Sequence, residues 1–289
     1  AVPTTLCRVR DTQPGVGSSV SKEPHCLCDD FVLSEAGRRD YAAYFSRVRP
    51  GQICGEASTG YTKIPEYTGV PARARAVLGP KLKLIYLVRN PVDRAVSHHH
   101  HVMMDGVTPR DVNQAVHEGP NLVSFGLYAM QADAWLEHFP RESLRIVVFE
   151  EYIKARRETV SDLCEFLGVE AAPERIDPSK RHNAAEQRVF SPRFAVVSKT
   201  ALYKRVVRRW TPQSMRQAIA RRVLPAAPPR PPAPSGVAVD FLLDATRDDR
   251  DRLRRMLGRD RPIWDEAQTR ERYEVLRAKQ GVGAEAPQA

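Results

Sequence analysis

Two apolar runs stand out along the chain. Lys81–Arg89 carries Leu84-Ile85-Tyr86-Leu87-Val88, and Leu144–Phe149 reads Leu-Arg-Ile-Val-Val-Phe. Runs this continuous and this rich in β-formers predict strands covered on both faces, as in parallel sheets. Around them the apolar spacing turns helical. Asp29–Val48 places Phe31, Tyr41, Tyr44 and Phe45 on a helix that Pro50-Gly51 ends. Ala72–Leu78 is a short helix closed by Gly79-Pro80, and another helix starts at Asn90-Pro91. Leu127–His138 is amphipathic through Leu127, Met130, Ala134 and Trp135. Glu158–Leu167 keeps Val160, Leu163, Cys164 and Leu167 on one face and stops at Gly168. Gln52–Glu56 reads as a short strand. Strands alternating with helices predict an α/β fold with a mainly parallel sheet.

The two ends are patterned differently. Residues 1–30 are rich in turn signals, among them Pro14-Gly15 and Gly17-Ser18-Ser19. Residues 193–224 are basic with a helical pattern. Residues 225–235 are proline-rich and predict an extended surface loop, with a proline-motif ligand as the alternative. Phe241–Leu257 reads as one highly charged helix in which seven Arg and four Asp of Arg247–Arg261 pair among themselves. No repeat is visible. The organisation expected is one domain over 1–280 with a frayed tail at 281–289.

Composition narrows the picture. The 289 residues carry 45 Lys+Arg against 35 Asp+Glu, a net charge of +10, which favours an anionic partner. No run of eighteen apolar residues exists, so no membrane span is expected. The five cysteines are sparse and odd in number, which points to a reducing compartment rather than a disulfide framework. The first residues lack the basic–apolar–small pattern of a signal peptide, so a cytoplasmic location is expected. Cys26-x-Cys28 is too tight for a CxxC metal or redox pair. His98–His101 is a run of four histidines, but on a helix only His98 and His101 share a face. Packing or a cleft-lining role is expected for them, with no metal site. Lys204–Trp210 is a basic cluster that suits a solvated helix face, with nucleotide or nucleic-acid contacts as alternatives.

The strongest local chemistry lies at Arg89-Asn90-Pro91-Val92-Asp93-Arg94-Ala95-Val96-Ser97. A buried strand delivers an arginine at its carboxyl end, and a helix begins at once. Open parallel sheets bind ligands at that edge. Arg89 offers a planar fork of donors for a phosphate, and Ser97 a hydroxyl further along the helix. The alternative is a strand-end arginine paired with Asp93 or another carboxylate.

This segment resembles the 3′-phosphate-binding motif of sulfotransferases that use 3′-phosphoadenosine 5′-phosphosulfate (PAPS). Other segments agree in order. Lys22-Glu23-Pro24-His25, followed by Asp29-Asp30, resembles the Lys-Glu-Pro-His segment of the heparan-sulfate-type and related bacterial members. Gly55-Glu56-Ala57-Ser58-Thr59-Gly60-Tyr61 resembles their Gly-Glu segment. Gly126-x-Tyr128, Trp135 with Phe139-Pro140, and Gly258-Arg259-Asp260 before Trp264 complete the likeness.

The resemblance implies a P-loop-type parallel sheet flanked by helices and sulfuryl transfer from PAPS, without a metal. The acceptor would be a hydroxyl, or an amine, of a carbohydrate, lipid or small molecule. Glu23 would be the general base and His25 would line the acceptor site. Arg89 and Ser97 would hold the 3′-phosphate. Thr4, Thr5 and Leu6 match the end of the 5′-phosphate loop, whose Lys and Gly positions hold Ala1 and Pro3 here. The strand before that loop would lie upstream of residue 1. The leaving-group charge would then fall partly to His25 or Lys63. Three rivals remain: a nucleotide-binding relative without turnover, another P-loop transferase such as a small-molecule kinase, and a basic nucleic-acid binder.

Overall fold

The computed structural model describes residues 13–21, 23–104, 111–176 and 231–281. Thr4, Thr5, Leu6, Lys22, the basic cluster 204–210 and most of the proline-rich stretch lie outside the described residues. The fold is α/β. Strand β1 (Val16–Ser18) pairs in parallel with β2 (Ile53–Gly55), and β3 (Leu84–Val88) pairs in parallel with β4 (Leu144–Val148). The register of the second pair sets Leu84 opposite Leu144 and Val88 opposite Val148. Both predicted apolar runs are therefore strands, shortened at their ends.

The predicted helix over 29–48 is broken. Asp29 caps a 3₁₀ turn at Asp30–Leu33, and Ser34 then caps α1 (Glu35–Ala43) by accepting the Gly37 N–H at 3.0 Å. A Cβ at Gly37 would collide with the Phe31 carbonyl, so glycine lets the turn fold back onto the helix. Phe31 is consequently exposed, while Leu27 and Val32 are buried in its place.

Next come α2 (Val70–Leu78) and, after β3, α3 (Pro91–Met104). Then follow α4 (Val112–Glu118), α5 (Pro120–Ser124) and α6 (Tyr128–Leu136). Beyond β4 lie α7 (Phe149–Lys154) and α8 (Arg156–Leu167). Val88 packs with Tyr128, Ala129, Ala132, Leu144 and Leu253, and Val92 and Ala95 of α3 pack with the helices that follow.

The predicted helix over 241–257 is two: α9 (Gly236–Ala245) and α10 (Arg247–Met256). The buried Thr246 separates them. Its hydroxyl donates to the Leu242 carbonyl at 2.7 Å, and such back-bonding competes with helix continuation. The self-pairing expected of α10 is mostly absent. Arg254 reaches Asp251 at 3.5 Å within the helix, but Arg250 pairs with Glu266, Arg252 with Asp133 and Arg259 with Glu151. Asp249 accepts the Ala129 and Met130 N–H groups at 2.9 and 2.8 Å, fixing α10 to the start of α6.

The last helix among the described residues is α11 (Glu266–Lys279). The described end of the proline-rich stretch is not a surface loop. Ala233 and Ser235 are buried, and Ala233 N–H donates to Gln280 Oε1 at 2.7 Å. Among the described residues no helix is long and apolar enough to cross a membrane.

Candidate active site

The turn after β3 is clamped from several sides. Asn90 is 3% exposed. Its Oδ1 accepts the N–H groups of Val92 and Asp93 at 3.0 and 3.3 Å, which caps α3. Its Nδ2 donates to Thr269 Oγ1 of α11 at 2.9 Å. Its backbone N–H donates to Glu150 Oε1 at 2.9 Å, and the other Glu150 oxygen accepts the Trp264 indole N–H at 2.9 Å. Carboxylate, amide and hydroxyl together hold the backbone at the strand end.

Arg89 projects from that turn. Its guanidinium carbon lies 5.5 Å from the Phe149 ring centroid, and one nitrogen is 3.6 Å from Asp93 Oδ2. The alternative pairing with Asp93 is thus present, but beyond hydrogen-bond length. Asp93 is bound more closely elsewhere: its Oδ1 accepts Arg272 and the Tyr273 hydroxyl, both at 2.8 Å. Arg89 keeps donors to offer. Ser97 is half-buried on α3 and makes no hydrogen bond among the described residues. A cationic fork and a spare hydroxyl on one strand–helix junction fit a phosphate.

A second cluster surrounds Glu23 and His25. Both have left-handed backbone, φ 51° and 57°, a conformation that costs a non-glycine residue about 1–3 kcal/mol. The Gly-Glu segment holds them there. Thr59 Oγ1 donates to Glu23 Oε2 at 3.1 Å, and His25 N–H donates to Ser58 Oγ at 3.1 Å. His25 Nε2 stands 3.4 Å from the same Glu23 oxygen. A Cβ on Gly60 would lie 2.7 Å from His25 Nδ1 and 2.8 Å from Cys28 Sγ, so glycine is what lets the ring approach. Burial pushes the Cys28 thiol up to about 11, which leaves it a protonated neighbour.

Glu56 organises this segment from below. Its Oε1 accepts the Tyr41 and Tyr61 hydroxyls at 2.6 and 2.7 Å, and Ser58 Oγ donates to Oε2 at 3.5 Å. Burial, followed by the Glu56 charge, raises both phenols well above their ordinary value, so both stay donors. The Tyr61 oxygen in turn accepts the Leu27 N–H at 3.4 Å. Sequence reasoning named Glu56 and Tyr61 only within a resembling segment and gave Tyr41 a helix-face role. A Glu between Gly55 and Ala57, followed at once by Ser58 and Thr59, was the available signal.

The same segment connects the two clusters. Trp135 Nε1 donates to the Tyr61 carbonyl at 3.2 Å, and Gln131 bonds both backbone groups of Ile64 at 3.0 Å, docking the segment on α6. Lys63 then places its ammonium 5.3 Å from the Phe125 ring centroid. His98, the residue after Ser97, meets that ring edge-on at 5.4 Å. Burial, with the Arg94 and Lys63 charges, pushes the His98 imidazole down to about 3 and keeps it neutral. The rest of the histidine run divides as its helical spacing requires. His99 is fully buried, and His101 is exposed. Among the described residues no group of three or more His, Cys, Asp or Glu is placed to hold a metal ion.

The comparisons with known proteins converge. The family model for the sulfotransferase domain matches residues 70–222, more than half of the chain, and the chain belongs to that family. Arg89 and Ser97 fall inside the matched residues, whereas Glu23 and His25 precede them. Among curated relatives, heparan sulfate glucosamine 3-O-sulfotransferase 6 of Homo sapiens is 30% identical over 172 residues, covering 52% of this chain and 44% of its own. The 3-alpha-hydroxysteroid sulfotransferase of Cavia porcellus is 31% identical over 108 residues, 36% of this chain and 37% of its own. The chain thus spans less than half the length of these relatives. The crystal structure of a sulfotransferase from Alicyclobacillus acidocaldarius superposes with a TM-score of 0.59 at 20% identity, covering 90% of this chain and 94% of that one. At that identity it supports the fold.

Proposed function

We propose that this chain transfers a sulfuryl group from PAPS to a hydroxyl, or an amine, of a carbohydrate, lipid or small-molecule acceptor, as a single domain over residues 1–280. The observation that carries the reading is the Glu23 carboxylate, held in a strained turn by His25 and by Thr59 of the segment whose Lys63 shares the Phe125 ring with His98 of α3. PAPS supplies the activated sulfuryl group. Arg89 and Ser97 bind its 3′-phosphate through charge-assisted and hydroxyl hydrogen bonds. Thr4, Thr5 and Leu6 contribute to the 5′-phosphate site. Glu23 accepts the proton that the acceptor hydroxyl loses as its oxygen attacks sulfur. His25 lines the acceptor site and steers the Glu23 carboxylate.

Two variants test this. Arg89→Ala removes the phosphate fork, so 3′-phosphoadenosine 5′-phosphate (PAP) should no longer raise the melting temperature. An unchanged PAP dissociation constant would overturn the phosphate site. Glu23→Gln should bind PAP normally while transfer from PAPS drops roughly 10²–10⁴-fold. Normal turnover in that variant removes Glu23 as base. PAP stabilisation of the parent with no sulfated product across carbohydrate, lipid and small-molecule acceptors identifies instead a nucleotide-binding relative without turnover.

A further inference from the structure

The seven arginines of Arg247–Arg261 outnumber the four aspartates among them, and the proposed transfer uses none of the seven. Arg247, Arg250 and Arg254 of α10 line a groove of about 680 Å³ that runs to the start of α11, and Arg261 and Arg270 line it too. Glu23, His25, Arg89 and Ser97 do not, so the groove belongs to neither cluster of the candidate active site.

The arginines of the groove are unequally engaged. Glu266 accepts Arg250 at 2.8 Å and Arg270 at 3.3 Å, and Arg247 reaches Asp244. Asp265 is spent on the α11 cap, where it accepts the Gln268 N–H at 3.0 Å. Arg254 lies 3.5 Å from Asp251 through Nε and donates Nη1 to the Arg259 carbonyl at 2.8 Å, which leaves its Nη2 unspent. Arg261 is exposed and has no hydrogen bond or ion pair among the described residues. Pro262, Ile263 and Trp264 add an apolar wall to the same groove. Guanidinium forks match the oxygens of a carboxylate, sulfonate or phosphate, and an apolar wall covers a flat organic body. A groove of this volume holds a small organic molecule.

The wall also reaches the strand–helix junction. Trp264 donates its indole N–H to Glu150, whose other oxygen accepts the Asn90 N–H, each at 2.9 Å. Asn90 adjoins Arg89. Glu266 opens α11, whose Thr269 accepts the Asn90 side-chain amide at 2.9 Å.

We propose that this groove is a second ligand site, for a small oxyanion with an aromatic body. Its occupation steadies the Trp264–Glu150–Asn90 chain and so tightens nucleotide binding at Arg89. The coupling rests on the proposed function, whereas the groove site does not. By linkage, nucleotide tightens the oxyanion by the same factor.

The probe is 2-naphthalenesulfonate, whose carbon–sulfur bond keeps it out of sulfuryl transfer. Naphthalene-2-sulfonamide is its uncharged counterpart. Calorimetric titration of the parent should show saturable one-to-one binding of the sulfonate, with the sulfonamide roughly tenfold weaker. Arg261→Glu sets a carboxylate where the free fork stood, so sulfonate affinity should fall tenfold or more, by rough estimate. Its melting temperature should stay that of the parent, because Arg261 has no partner to lose. Arg89→Ala should keep the sulfonate affinity. Saturating sulfonate should tighten PAP roughly fivefold in the parent and leave it unchanged in Arg261→Glu. Parental sulfonate affinity in Arg261→Glu would overturn the site. Loss of sulfonate binding in Arg89→Ala would overturn it as well, since the probe would then occupy the nucleotide site. Equal affinity for the sulfonamide would overturn the oxyanion assignment, and PAP affinity indifferent to the sulfonate would overturn the coupling. A parent chain that binds no PAP would refute the proposed function and the coupling with it, while the sulfonate titrations still decide the groove.

Discussion

At the scale of single residues, the site depends on contacts that a missing atom permits. Gly60→Ala would drive a methyl group into His25 and Cys28. The ring must shift, and with it the carboxylate 3.4 Å away. The expected outcome is transfer slowed by about 10²-fold, the cost of a misplacement near 1 Å, with PAP affinity unchanged. Parallel activity and calorimetric titrations of the one variant read both. Arg89 and Ser97 stood out in the sequence because a buried strand runs straight into a capped helix there, whereas Glu23 and His25 were singled out by the resemblance alone. The support beneath these residues was not legible. Tyr41 and Tyr61 meet Glu56 from positions 15 and 5 residues away, and such convergence follows from tertiary packing rather than spacing.

At the scale of elements, the β3–α3 junction was legible almost to the residue. A continuous apolar run, then Asn, Pro and an acidic residue, leaves the backbone few alternatives. Its cap is a point of leverage. Asn90→Ala deletes the α3 cap and the bond to Thr269, so stability should fall by about 1–2 kcal/mol from the cap alone. PAP affinity should fall too as Arg89 loosens. Denaturant unfolding and nucleotide titration together measure the two losses. The elements that sequence patterning misplaced failed for identifiable reasons. The long helix over 29–48 was interrupted by two side-chain caps, and that over 241–257 by a threonine bonding backwards. Helix α11 was not anticipated because it buries Thr269, Tyr273 and Arg277, a face with too little apolar character to show a stripe.

At the scale of the whole molecule, arginine–carboxylate pairs tie distant segments together. Arg259 binds Glu151 through two nitrogens at 2.5 and 2.7 Å, and Arg250 binds Glu266 at 2.8 Å. These hydrogen bonds hold both carboxyls below their ordinary value of 4.5. Their stabilisation is therefore full above that value and is lost as pH falls through the lowered folded values. Asp249 acts in the opposite sense. Burial raises it, so its contribution is greatest at low pH and declines as it ionises. Melting temperature should drop as pH is lowered below 4.5, and Arg259→Ala should flatten part of that slope. The clamp around the β3–α3 turn has a consequence in time. Asn90 and Asp93 are secured by Thr269, Arg272 and Tyr273, partners made some 179 or 180 residues later. During synthesis the motif leaves the ribosome long before its fasteners do. Nucleotide should find no finished pocket on the nascent chain until α11 has emerged, so this site is among the last features of the molecule to mature.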